Sequence, residues 1–106
     1  MSILLVCCNF PDKISADSAA QAVIGQGLAA CCQVGAPVAS VYRWQGRVEQ
    51  AEEFPLTCKT TPEAWADLEA FLKLRHPYDV PEIIGLPVTH GLPAYLEWVR
   101  ANVPNR

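Results

Sequence analysis

Two extended arms set the strongest constraint on how this chain folds. Residues from about Gln33 to Gln45 and from about Arg47 to Thr60 read as strands, joined at Gln45-Gly46. Gly46 supplies the positive φ that a tight hairpin needs. Both arms exceed the usual strand of about 5–6 residues, and the two helices of a small domain cannot cover their whole length. By two-residue alternation Val34, Ala36, Val38, Ser40, Tyr42 and Trp44 share one face of the first arm. Val48, Phe54, Leu56 and Cys58 share a face of the second, interrupted by Gln50 and Glu52. Pro55 has no N–H to donate, which predicts a sheet edge or a bulge there.

The remaining elements fall around this ribbon. Residues 3–8, ILLVCC, form an apolar run suited to a covered central strand. Residues 15–28 read as a helix, with Ser15 as N-cap, Asp17 near the first turn, and Ala20, Val23, Ile24 and Leu28 at helical spacing. Thr61-Pro62-Glu63 starts a second helix: a cap, a proline at the first position and an acid at the positive dipole end. Trp65, Leu68 and Leu72 form its inner stripe, and Pro77 stops it near His76. Residues 82–89 read as a short strand. Leu92 to Val103 read as a last helix, with Leu96, Val99 and Val103 inward and Tyr95 and Trp98 elsewhere.

The order β-α-β-β-α-β plus a terminal helix predicts an α+β class: a ferredoxin-like sandwich, with helices on one face of an antiparallel sheet. A chain of 106 residues is expected to be a single domain, residues 1–106. Its 51% hydrophobic and 18% charged residues exclude disorder and leave more apolar surface than a small interior holds. Self-association is the simplest cover for the second sheet face. A net charge of −3 with scattered basic residues argues against nucleic acid. No apolar run approaches the roughly 20 residues of a membrane span, and MSILLVCC lacks the basic start of a secretory signal.

Five cysteines include the adjacent pairs Cys7-Cys8 and Cys31-Cys32. Neighbours on a strand face opposite ways, so neither pair chelates one metal or closes an easy disulfide. Buried, reduced thiols in a cytoplasmic protein are the expectation. The first and third strands are expected to be parallel neighbours, bringing Cys8, Cys58-Lys59 and Cys31 to one end of the sheet. Cys8 or Cys58 would then meet Cys31 as soft-metal ligands, or all would stay bystander thiols. On that topology His76 and Lys59 are far apart within one chain, so a site using both forms between subunits.

The stretch HPYDVPE, residues 76–82, packs an imidazole, a phenol and carboxylates between two prolines. It serves either as a rigid connection with His76 capping the helix, or as a loop whose side chains meet a ligand. Lys59 is a solvated strand end or a ligand contact. Tyr42 and Trp44 belong to an interface or stack on a ligand. Glu49, Glu52 and Glu53 read as a solvated edge. No serine or cysteine sits in a nucleophile elbow, neither histidine has an evident partner, and no glycine loop cradles a phosphate.

The segments LAACCQV (28–34), PVASVYRWQGRVEQAEE (37–53), CKTTPE (58–63), HPYDVPEIIGLPV (76–88) and GLPAYLEWV (91–99) together resemble the CutA divalent-cation-tolerance proteins. The resemblance covers nearly the whole chain. It implies a PII-like, compact homotrimer whose long hairpins cross between copies, in line with the overlong arms. It also implies a role in tolerance of copper and other divalent cations, with no established reaction. Cys31 falls on the family's LAAC cysteine, Cys8 on a first-strand cysteine of some members, and His76 on a proposed metal ligand. Arg75 stands where some members have a histidine, and Phe71 where some have a cysteine; both changes weaken a copper site. Asp79 replaces the commoner glutamate and keeps the carboxylate.

The resulting expectation is a non-enzymatic cytoplasmic trimer that holds copper, another divalent ion or a small effector in clefts between chains. Tyr42, Trp44, Lys59, His76, Tyr78, Glu82 and Trp98 would surround the cleft. Lys59 would meet an anion, and His76 with Glu82 a cation or polar group. A trimer serving a protein partner through the Trp98 face is the alternative. An enzyme using Lys59 or a cysteine ranks last, for want of a nucleophile–base pair.

Overall fold

The computed structural model describes Ser2 to Pro104. Its elements are β1 (Leu4–Phe10), α1 (Lys13–Gly25), β2 (Cys31–Val34), β3 (Val38–Trp44), β4 (Arg47–Thr60), a short 3-10 turn (Pro62–Ala64) running into α2 (Trp65–Arg75), β5 (Ile83–Pro87) and α3 (Pro93–Ala101). The sheet order is β2-β4-β1-β5, with β3 paired to the other half of β4. This is the expected ferredoxin-like sandwich with an added helix and a long hairpin.

Every pairing of β4 is antiparallel, including that with β1. The expected parallel pairing of the first strand with the hairpin's second arm is therefore wrong. The β1-α1-β2 crossover returns β2 parallel to β1, and β4 inserts between them, so it must oppose both. Cys8 consequently lies across from Leu56, well away from the Cys31–Lys59 pair at the far end of β4.

The first arm is not one strand. Val34 pairs with Leu56 and Val38 with Glu53, so three residues of one strand face two of the other. That extra residue in Gly35-Ala36-Pro37 reverses the alternation, as a bulge does. Val34 turns toward the helices with Leu56 and Cys58, whereas Val38, Ser40, Tyr42 and Trp44 share a face with Glu53, Ala51 and Glu49. The single face expected for Val34 to Trp44 is thus broken in two. Pro55 is at no edge; it is in the central strand, and the Gly35 N–H donates to its carbonyl. A strand residue's N and C=O point to the same side, so the missing N–H of Pro55 faces the interruption between β2 and β3.

Alternation in β1 and β4 places Val6, Cys8, Phe10, Leu56 and Cys58 beneath Ala16, Ala19 and Val23 of α1 and Leu68 and Leu72 of α2. Helix α1 starts at Asp12 rather than Ser15, because the Asp12 carboxylate accepts the Ser15 N–H at 2.7 Å. It stops at Gly25, where Gly27 takes φ 69° and the Gly27 and Leu28 N–H groups close on Ile24 and Val23 carbonyls. Leu28 therefore lies beyond the helix and Ile24 is exposed, while Asp17 pairs with Lys13. The Thr61 cap forms as expected, its hydroxyl accepting the Ala64 N–H at 3.3 Å. Val99 and Val103 bury with Ile3 and Ala64 in a second, smaller core, flanked by Leu96.

The far half of the hairpin has no helix over it. It closes through Gln45 and Gly46, both at positive φ, as a two-residue turn of this hand requires. Val41 and Val48 are 62% and 66% exposed there. The radius of gyration is 14.3 Å and the long axis 44 Å, against about 13 Å expected for a compact chain of this size.

Candidate functional site

The base of the ribbon and the loop after α2 enclose a cleft of about 570 Å³. Tyr42 and Trp44 of β3 form one wall. Tyr78, Asp79 and Glu82, on the proline-bounded loop, form another, with Asn9, Ser40 and Glu53 at the base. All the charged groups lining it are carboxylates.

His76 organises the loop rather than lining the cleft. Pro77 excludes helical geometry at His76, which takes φ −77° and ψ 137° and ends α2. The turned ring is only 8% exposed and stacks on Phe10 at 4.5 Å. The Tyr78 N–H donates to its Nδ1 at 3.1 Å, and its Nε2 lies 2.6 Å from the Asn9 carbonyl. An N–H can only donate, so Nδ1 carries no proton and Nε2–H donates to Asn9. His76 does close the end of α2, its backbone N–H donating to the Lys73 carbonyl, while its side chain forms this clamp between loop and first strand.

The clamp aims Tyr78 into the cleft, where its hydroxyl donates to Glu53 Oε2 at 3.2 Å. Burial, followed by the Glu53 carboxylate, pushes the Tyr78 phenol up to about 12. Glu53 is 9% exposed, not the solvated edge residue expected from a run of glutamates. Register counted from the Gln45-Gly46 turn sets Glu53 opposite Val38, on the face of Tyr42 and Trp44, and the loop bearing Tyr78 covers it there. Asn9, Ser40, Glu53 and Asp79 are cleft residues that the sequence-based selection of site residues omitted. Asp79 was visible within HPYDVPE; Glu53 would have required knowing that the loop bearing Tyr78 folds over the ribbon.

Of the expected site residues, the structure gathers Tyr42, Trp44, Tyr78 and Glu82 around this cleft, with His76 behind it. Lys59 and Trp98 lie elsewhere. Lys59 pairs across from Leu5 and Cys31 and donates to Gln33 Oε1. It is four residues along β4 from Pro55, which faces Asn9 beside the clamp, a separation of about 13 Å. Trp98 stacks on Tyr95 at 5.7 Å on the exposed side of α3.

The expected metal residues do not converge within one chain. Both ring nitrogens of His76 are bonded to backbone. Cys8 faces the core, where burial, Glu82, Cys7 and Glu53 push its thiol up to about 12. Cys31 projects from the opposite sheet face, on the side of Lys59. Among the described residues no group of three histidine, cysteine or acidic side chains could hold a metal ion. Nor does Cys31 meet Cys58; alternation gives that contact to Cys32. Only Cys8 and Cys58 are buried; Cys7, Cys31 and Cys32 are partly exposed, and all five are free thiols.

Residues 4–102 match the CutA1 divalent ion tolerance protein family. The chain belongs to that family. A divalent-cation tolerance protein CutA from Thermus thermophilus is 40% identical over 98 residues, covering 92% of this chain and 95% of that protein. The solved Cut A1 structure from Thermus thermophilus has a TM-score of 0.93 at 38% identity, covering 96% of this chain and 99% of that one. CutA1 from Oryza sativa has a TM-score of 0.94 at 34% identity, covering 98% and 95%. The family is named for tolerance of divalent ions and not for a reaction. Among the described residues no helix is long and apolar enough to cross a membrane.

Proposed function

We propose that this CutA-family chain assembles as a homotrimer and binds a divalent ion or a small cationic effector in clefts completed by neighbouring copies, without catalysing a reaction. The cleft carries the reading. It combines Tyr42 and Trp44 with the carboxylates of Glu53, Asp79 and Glu82, and among the described residues no basic side chain lines it. Carboxylates and carbonyls suit hard cations, and aromatic faces attract organic cations. Lys59, at the far end of the sheet, would meet this cleft only from another copy.

Three further features favour assembly: the elongated shape, the exposed Val41 and Val48 on an uncovered ribbon, and the open sheet face with exposed Ile84 and Leu86. Patches of this kind mark interfaces. Sedimentation equilibrium should return three chains per particle, and a monodisperse monomer would refute the assembly. Calorimetric titration with copper(II), zinc(II) and a nucleotide then separates ligand classes. Cation binding that Trp44→Ala and Glu82→Gln weaken at least tenfold supports the cleft. Nucleotide binding without cation binding refutes its cationic preference. A trimer that binds none of the three favours the partner-docking alternative.

A further inference from the structure

Two cysteines outside the cleft form an arrangement that cation binding leaves unused. Cys32 on β2 stands directly across from Cys58 on β4. Their Sγ atoms lie 3.4 Å apart and share one S–H···S contact. The ladder shows what kind of pair this is. Gly35 N–H donates to the Pro55 carbonyl, and bonded pairs alternate along an antiparallel ladder. Residues 33–57 and 31–59 are therefore bonded pairs, and 32–58 is a non-bonded one. At such a pair the Cα atoms sit about 4.5 Å apart with side chains drawn together, within the roughly 4.4–6.8 Å that a disulfide spans.

We propose that Cys32 and Cys58 are a reversible dithiol–disulfide site, oxidised by a small-molecule disulfide such as glutathione disulfide. Cys32 is the attacking sulfur, being partly exposed on the edge strand β2, whereas Cys58 is fully buried. The contact with Cys58 holds the Cys32 thiol below its ordinary range against the opposing effect of burial, and Lys59 adds to it. The same contact and burial push Cys58 up. The Cys32 thiol gives its proton to solvent, and its thiolate attacks one sulfur of the reagent. A mixed disulfide forms, and the other half leaves as thiolate. Cys58 then gives up its proton and displaces the first half from Cys32. Two protein thiols are oxidised by two electrons, and the reagent is reduced to two thiols.

The other cysteines do not compete on geometry. Cys7 and Cys31 project from the opposite sheet face. Cys8 shares the face but stands opposite Leu56, a diagonal neighbour of Cys58, with Cα atoms about 7–8 Å away. The bond spans 26 chain positions and encloses all of β3 and its turn. It would pin the edge strand at the root of the ribbon that carries Tyr42 and Trp44. The inference does not depend on the trimer or on a bound cation.

The test is to incubate the full chain, in its native assembly, with glutathione disulfide, then block free thiols and map peptides without reduction. The expected result is a Cys32–Cys58 cross-link, a mass loss of two hydrogen atoms per chain, reversal by dithiothreitol and a higher urea midpoint when oxidised. Cys32→Ala should abolish the cross-link, and Cys31→Ala should leave it intact. A stable mixed disulfide on Cys32, a cross-link through Cys7 or Cys31, or no thiol loss would overturn the proposal. If Cys32→Ala fails to fold, the peptide map of the unaltered chain decides by itself.

Discussion

Replacing His76 with alanine should cost far more stability than removing a histidine from a loop surface. The structure supplies the terms. The ring makes two hydrogen bonds to backbone, at 2.6 Å to Asn9 and 3.1 Å from Tyr78, and stacks on Phe10 with centroids 4.5 Å apart. Each hydrogen bond contributes about 1 kcal/mol net, and the ring pair about 0.5–1.5 kcal/mol. The sum is about 2–4 kcal/mol, with the upper end reached if the Asn9 carbonyl is left without a partner. At a urea m-value of about 1–3 kcal/mol/M for a small protein, the midpoint should fall by roughly 0.7–4 M, and by about 1.5 M at the middle of both ranges. The comparison must be made at one protomer concentration, because assembly shifts apparent stability by mass action. His76→Asn, whose side-chain oxygen can still accept from the Tyr78 N–H, should recover about 1 kcal/mol. Nitrogen NMR of the unaltered protein should show the neutral tautomer with its proton on Nε2. A loss below about 0.5 kcal/mol, within the range of ordinary surface changes, or a proton on Nδ1, would refute the clamp.

Tyr78 should titrate late: tyrosinate absorbance should contain a component near 12 that Tyr78→Phe removes. Because the folded value is raised above the ordinary one, the unfolded chain loses this proton first. The phenol's contribution to stability is then complete below about pH 10 and declines as pH rises toward 12. Gly85→Ala would set a methyl 3.0 Å from Trp65 Cζ3 and 3.2 Å from Cε3; circular-dichroism melting should show a loss of about 1–3 kcal/mol from overpacking. Thr61→Ala removes the hydroxyl that accepts the Ala64 N–H and should cost about 0.5–2 kcal/mol in the same melt. An unchanged melt in either variant would refute the packing or the cap it probes.

The order of elements was legible because it rests on local physics. Thr61-Pro62-Glu63 could only start a helix cleanly, and His76 before Pro77 could hardly continue one. The ribbon's length and its turn followed from apolar spacing and from Gly46. The helix that starts at Asp12 was misplaced because Asp12 and Ser15 are both good caps. Choosing between them depends on which oxygen reaches a free N–H, and spacing alone does not say that.

Register was the part no local pattern could fix. One surplus residue in Gly35-Ala36-Pro37 reverses every side chain beyond it, and a sequence shows the proline without showing which strand bulges. That reversal parts Val34 from Tyr42 and Trp44 and leaves Cys32 rather than Cys31 against Cys58. It likewise took tertiary structure to turn His76 from a ligand candidate into a backbone clamp, since its partner Asn9 is 67 positions away. Composition and periodicity set which segments fold and which sides are apolar. Contacts between distant segments decided which functional groups share a space, because such contacts are settled only when strands pair.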